Sequence, residues 1–152
     1  MTTVYLASPL GFSHEMKDYQ DRIKIRLEEI GYEVFDPWDR GHGPALKRAK
    51  ALTHWQERVA ALTEVAKKIG RMNEIGIRES DALLGVLDGA EPDSGTASEL
   101  GFAFGLGKRC YGLRTDFRNL GDLEGLPVNL QLLYFIESSG GRLFRAIVDI
   151  EI

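Results

Sequence analysis

The apolar and polar positions of this chain alternate between two spacings. Runs of strand length occur at 4–7 (Val-Tyr-Leu-Ala), 32–35 (Tyr-Glu-Val-Phe), 82–87 (Ala-Leu-Leu-Gly-Val-Leu) and 109–113 (Arg-Cys-Tyr-Gly-Leu), and turn residues punctuate them. Between them the spacing becomes helical. Met16, Ile23, Leu27 and Ile30 share one helical face, closed by Gly31, with Ser13 placed to cap the start. Thr53 and Gln56 match a capping box, and Trp55, Val59, Leu62, Ala66 and Ile69 follow at helical intervals. Gly70 and Gly76 weaken the continuation, yet Met72, Ile75 and Glu79 still fit a helix that bends. A further helix is expected over 96–106, closed by Gly107, and another opened by Pro127 and running through Asn129, Leu132, Leu133 and Ile136. The stretch 40–50 reads as irregular, and 142–152 fits either a strand or a short helix.

Strands and helices in strict alternation imply a parallel sheet covered by helices on both faces, an α/β three-layer sandwich. No repeat, low-complexity tract or linker divides the sequence, so a single domain over 1–152 is expected. In open sheets of this kind ligands bind beyond the carboxyl ends of the strands. The loops that matter are then 7–12, 36–43, 88–96 and 114–128.

Composition narrows the function classes. A formal charge of −4 gives no basic face for a phosphate backbone, and Lys47, Arg48 and Lys50 read as a solvated cluster, so a small ligand is favoured over nucleic acid. No run of about 18 apolar residues is present to span a membrane. The start, Met-Thr-Thr-Val-Tyr, does not read as a signal peptide, and the lone Cys110 asks for no oxidising compartment, so a cytoplasmic location is expected. No cofactor or metal is expected. Gly101, Gly105 and Gly107 close a helix rather than open one, no phosphate-loop pattern exists, and His14, His42 and His54 lack ligand spacing.

The candidate chemistry lies at 88–99, Asp-Gly-Ala-Glu-Pro-Asp-Ser-Gly-Thr-Ala-Ser-Glu. It puts two carboxylates, Asp93 and Glu99, beyond the carboxyl end of a central strand. Glu99 is expected in about the first turn of the next helix, where the helix dipole favours its charge. Gly95 beside it lets a substrate approach the backbone. Glycosyl transfer needs such a pair: one group meets the oxocarbenium-like carbon and another handles the leaving-group proton. Read alone, the same residues also suit a turn and a decorated helix start.

The segment Asp-Ser-Gly-Thr-Ala-Ser-Glu-Leu-Gly-Phe-Ala at 93–103 resembles the signature of the nucleoside 2-deoxyribosyltransferase family. So do Tyr5-Leu6-Ala7-Ser8-Pro9, the 77–87 run with Asp81, Leu113-Arg114-Thr115-Asp116-Phe117-Arg118, and Pro127-Val128-Asn129-Leu130, in the expected order. The resemblance implies a flavodoxin-like fold and transfer of 2-deoxyribose from a 2-deoxynucleoside donor to a nucleobase acceptor. It makes Glu99 the nucleophile of a covalent deoxyribosyl intermediate formed with net retention, and Tyr5 the residue that positions it. Asp93 would meet the substrate near the sugar 5′-hydroxyl or the base. Asn129 would reach the site of a neighbouring subunit in a homo-oligomer, a dimer unit or a hexamer of such units.

Asn73 departs from the family pattern, because many members carry there an aspartate that protonates the leaving base. An amide has no such proton but can bind a base edge, which leaves the donor open between Asp93 and a water. Phe12 and Trp38 are placed to stack on a base or to cover the core. Three rivals remain at this point: a hydrolase of 2-deoxynucleoside 5′-monophosphates; the phosphoribohydrolase group, whose Pro-Gly-Gly-x-Gly-Thr-x-x-Glu motif is matched only in part by Pro92-Asp93-Ser94 and Gly95-Thr96-Ala97-Ser98-Glu99; and a non-catalytic nucleoside-binding module. Ser8-Pro9-Leu10-Gly11-Phe12 lacks the arginine that a phosphate site after the first strand would carry.

Overall fold

A computed structural model describes residues 2–152. Five parallel strands form one sheet: β1 (Thr3–Ala7), β2 (Glu33–Phe35), β3 (Ala82–Val86), β4 (Arg109–Leu113) and β5 (Leu143–Phe144), in the order β2-β1-β3-β4-β5. That is the flavodoxin-like order, with its switch point between the carboxyl ends of β1 and β3. The helices are α1 (Lys17–Glu29), α2 (Gly43–Lys50), α3 (Trp55–Glu79), α4 (Ser94–Gly105) and α5 (Leu130–Ser138).

The pleat sorts the core into two layers. Val4 and Leu6 of β1 face α1, where they join Ile23 and Leu27, with Tyr111, Leu113 and Ile150. Tyr5 and Ala7 face the other way, into a layer with Ile77 of α3, Leu100 and Ala103 of α4, and Leu132 and Ile136 of α5. Central β3 is buried along its whole length, as its unbroken apolar run requires. Among the described residues no helix is long and apolar enough to cross a membrane.

Several local expectations need correction. The stretch 40–50 is not irregular throughout, since Gly43–Lys50 is helical, with proline in its first turn. Ser13 caps nothing with its side chain; two short 3-10 turns precede α1, which starts at Lys17. The Thr53 capping box does not form, and His54 precedes α3 without a side-chain cap. Of the apolar positions expected on α3, Trp55 (64%), Val59 (40%) and Ile75 (43%) are solvent-exposed, and the helix is buried instead at Val65, Gly76 and Ile77. Pro127 lies outside α5, which Asn129 caps instead. The tail resolves into both of its alternatives, the two residues of β5 and then a 3-10 turn at Ile147–Asp149.

The two glycines inside α3 differ in kind. A β-carbon on Gly70 would meet nothing, whereas one on Gly76 would come within 2.5 Å of the Phe35 ring. That ring is stacked on Tyr5 at 5.4 Å and lies under the Arg40 guanidinium at 4.0 Å, so it has little room to yield. Gly76 thus brings α3 against the sheet, about one turn from Asn73. Gly70→Ala should raise stability by about 0.5–1 kcal/mol through helix propensity. Gly76→Ala should lower it by about 1–2 kcal/mol, because overpacking outweighs that gain. Urea melts of the two variants check the opposite signs.

Candidate functional site

The switch point between β1 and β3 opens into a cavity of about 510 Å³. Its lining comes from three directions: Ser8 and Phe12 after β1, the 37–46 segment with Trp38, His42 and Leu46, and the pair of helices α3 and α4. α3 contributes Ile69 and Asn73; the α4 side contributes Asp93, Ser94, Gly95, Thr96 and Glu99.

Glu99 is the hub. Tyr5 points from β1 toward α4 because odd positions of that strand face this layer, and its hydroxyl donates to Glu99 Oε1 at 2.8 Å. Asn73 Nδ2 donates to the same oxygen at 3.0 Å. A carboxylate only accepts, so the amide nitrogen is the end that faces it. The other carboxylate oxygen, Oε2, receives no hydrogen bond from the described residues. Burial pushes the Glu99 carboxyl above the usual carboxylate range, the Tyr5 and Asn73 donors pull it back, and nearby Asp93 adds to the rise. Burial, reinforced by Glu99, likewise raises the Tyr5 phenol, which therefore stays a donor.

Glu99 lies in the second turn of α4, not the first, so the helix dipole is a minor influence on its charge. The helix start belongs to Asp93, whose Oδ2 accepts from Thr96 N–H at 2.8 Å and from the Thr96 hydroxyl at 3.2 Å. Asp93 is therefore both an N-cap and a cavity wall.

Of the residues singled out in the sequence, the fold brings Tyr5, Asn73, Asp93, Gly95 and Glu99 together. Phe12 and Trp38 also line the cavity, as an edge-to-face pair with centroids 4.6 Å apart. Buried Asp36 accepts from Trp38 N–H at 3.0 Å and from Gln20 at 2.6 Å, while the indole N–H reaches Ser8 O at 2.9 Å. The Trp38 ring occupies the space a side chain at Gly11 would need. Asn129 is not part of this cavity within its own chain: its Oδ1 accepts from Gln131 and Leu132 N–H, and it shares a shallow depression with Glu91, Pro92 and Ser98.

Sequence reasoning missed three contributors. His42 and Leu46 enter with α2, and proline just after Gly43 at the head of an Ala-Leu-x-x-Ala pattern was the available signal. Arg114 is fully buried, and its guanidinium donates to the carbonyls of Leu87, Gly89 and Arg118. Beside it Asp88 accepts from Thr115 N–H and Asp116 N–H and from the Tyr19 hydroxyl. Together they tie the exits of β3 and β4 to each other. Among the described residues no group of three or more His, Cys, Asp or Glu side chains could hold a metal.

Residues 4–131 match the sequence profile of the family described as nucleoside 2-deoxyribosyltransferase. No curated protein matches the chain in sequence. Among solved structures, a conserved protein from Enterococcus faecalis V583 superposes with a TM-score of 0.72 at 23% identity, over 98% of this chain and 94% of that one. A 2-deoxyribosyltransferase from Bacillus psychrosaccharolyticus gives 0.60 at 22% identity, over 99% and 93%. The CMP N-glycosidase of Clostridium botulinum gives 0.54 at 15%, over 96% and 92%. At these identities the likeness speaks for the fold. The profile, in contrast, spans most of the sequence and takes in Tyr5, Asn73, Asp93 and Glu99, so the chain belongs to the nucleoside 2-deoxyribosyltransferase family.

Proposed function

We propose that the protein transfers 2-deoxyribose between nucleobases through a covalent intermediate on Glu99. Family membership points to an enzyme of the nucleoside deoxyribosyltransferase or N-glycosidase kind. The observation that carries the finer reading is the pair of donors on one Glu99 oxygen. Oε1 is fixed by Tyr5 and Asn73, so Oε2 is left to attack C1′ while the bond to the base breaks. A second base then attacks from the vacated face, and two inversions give retention. Phe12 and Trp38 supply apolar surface for the base; Asp93 and Gly95 lie where the sugar reaches α4.

Hydrolysis of a nucleoside 5′-monophosphate is the nearest rival, and the cavity lining speaks against it. Among the described residues its lining contains Asp93 and Glu99 but no lysine or arginine, so a phosphate dianion would meet two carboxylates with His42 as the one basic side chain opposing them. A neutral 5′-hydroxyl carries no such penalty. Incubation with deoxyadenosine and, in parallel, with deoxyadenosine 5′-monophosphate, each with and without a second base, separates the outcomes. Base exchange on the nucleoside supports transfer, release of deoxyribose 5-phosphate from the monophosphate alone supports the rival hydrolysis, and the absence of both leaves only binding.

Glu99→Gln keeps an oxygen for Tyr5 and Asn73 but removes the nucleophile. Exchange should fall on the order of 10³–10⁶-fold, and a 2-fluoro-2-deoxynucleoside adduct should form on the wild-type peptide only. The same variant should be more stable at neutral pH. Because folding raises the Glu99 pKa, the native state holds the extra proton between the unfolded and folded values, and stability falls as pH rises through that window. The advantage of the amide should therefore vanish below the unfolded carboxyl's pKa. Activity retained in Glu99→Gln removes the covalent mechanism.

Asn73 gives a second test. In Asn73→Asp a carboxyl oxygen would face Glu99 Oε1 about where Nδ2 now stands, and two carboxylates so close share one proton. The variant should work best in mild acid and lose rate as pH rises sooner than wild type. Asn73→Ala should cost about 1–3 kcal/mol of transition-state stabilisation and move the acidic limb to higher pH, because one donor to the carboxylate is gone. Unchanged pH–rate profiles in both variants would take Asn73 out of the mechanism.

We also assign the active unit as a homo-oligomer to which Asn129 contributes across an interface. Support comes from Leu130 and Tyr134 beside it on α5, large side chains left 46% and 57% exposed. Inactive Glu99→Ala and impaired Asn129→Ala chains, dissociated and mixed, should regain activity in hybrid assemblies. A fully active monomer by light scattering would refute the shared site.

A further inference from the structure

The leaving base needs a proton, and Asn73 holds none to give. Among the described residues, five buried side-chain polar atoms lack a hydrogen-bond partner, and three of them belong to the cavity lining: Ser8 Oγ, His42 Nε2 and Asn73 Oδ1. The other two are guanidinium Nε atoms, of Arg26 and Arg114, whose terminal nitrogens are bonded elsewhere. Unpartnered buried polar atoms are rare because each carries a desolvation cost. Three around one cavity mark a wall built for a polar ligand edge.

Among the described residues, three ionisable side chains line this cavity: His42, Asp93 and Glu99. Glu99 is the nucleophile of the reaction proposed above, on which this inference rests. Asp93 Oδ2 is engaged by both donors of Thr96 at the head of α4. His42 has no such engagement. It stands at the start of α2 in the 37–46 wall, with Trp38 and Leu46, across the chain from the α4 residues assigned to the sugar.

We propose that His42 is the general acid for the departing nucleobase and the general base for the incoming one. In the first step Glu99 Oε2 bonds to C1′, the C1′–N bond breaks, and its electron pair goes to the base. The imidazolium delivers the Nε2 proton to a nitrogen or carbonyl oxygen of that base and becomes neutral. In the second step the neutral imidazole accepts the N–H proton of the acceptor base as its nitrogen bonds C1′ and Glu99 is released. The imidazolium is restored, so the cycle consumes no further reactant. Asn73 Oδ1 accepts from an N–H of the same edge. An imidazole nitrogen can give up a proton in one step and accept one in the next, which suits both roles.

The charged groups around His42 permit this. The same cavity is lined from α4 and its cap by Asp93 and Glu99, both acidic; α3 presents Ile69 and Asn73, neither ionisable. On its own segment Asp39 is paired with Lys24, and Arg40 lies on the Phe35 ring.

The test compares leaving groups. Deoxyadenosine needs protonation at the base, whereas N7-methyl-2′-deoxyguanosine already carries a positive charge on its base and departs without it. In His42→Ala and His42→Gln, kcat on deoxyadenosine should fall about 10²–10⁴-fold, with the alkaline limb of the pH–rate profile abolished. On the methylated substrate the loss should shrink to less than about tenfold, with Tm near wild type. Equal losses on both substrates would show that the residue serves structure or binding, and no loss on either would show that it serves nothing here; each overturns the role. If wild type cleaves neither substrate, the underlying reaction falls and takes this role with it. Cleavage of both by wild type, with unaltered discrimination in the variants, removes the role of His42 alone.

Discussion

A carboxylate kept half-buried is the constraint around which this molecule is arranged. Leaving water raises the cost of the Glu99 charge, and two neutral donors offset part of that cost without cancelling the charge. A lysine or arginine in their place would have formed an ion pair and blunted the nucleophile. Tyr5 and Asn73 instead hold one oxygen and leave the other unengaged. Each donor depends on a different part of the fold. Tyr5 depends on the pleat of a central strand, and Asn73 on the seating of a 25-residue helix that continues through two glycines. The glycine that admits Phe35 is what joins these requirements, since the same ring stacks on Tyr5.

The exits of β3 and β4 show a second use of buried charge. Arg114 carries its guanidinium into the interior and spends its donors on backbone carbonyls rather than on a carboxylate. Backbone carbonyls at strand ends have no ladder partner, so such a cation satisfies several at once. The segment from 87 to the cap at Asp93 thereby starts from a fixed point. Rigid support of this kind is what a site needs when reacting atoms must be placed to within about half an ångström.

Much of this was legible in the residues. The alternation of apolar runs with helical spacing gives the parallel sheet, and period two along 4–7 sends Tyr5 to the opposite face from Val4 and Leu6. The acidic pair after the central strand marks the cavity because ligands gather at that edge. What was not legible depends on contacts distant in sequence. Glu99 sits one turn deeper than expected because Asp93, not Thr96, begins the helix. Trp55 and Val59 have the spacing of a buried face but project from the end of α3, where periodicity reports a stripe without saying what it meets. His42, between two glycines and ahead of a proline, looks like part of a turn. Only the tertiary fold places it over the cavity.

The two walls of the cavity are built differently, and this bears on how such a protein can change. Apart from His42, the residues assigned to chemistry stand on a strand and two helices packed into one layer of the core. The residues assigned to the base stand on short turns and an eight-residue helix outside the sheet, with Trp38 anchored by Asp36, Ser8 and the bare α-carbon of Gly11. Reshaping that outer wall leaves the reactive layer untouched. A lineage can then drift from one aromatic heterocycle to another through a handful of substitutions around His42 in 8–12 and 37–46, while the bond it breaks stays the same.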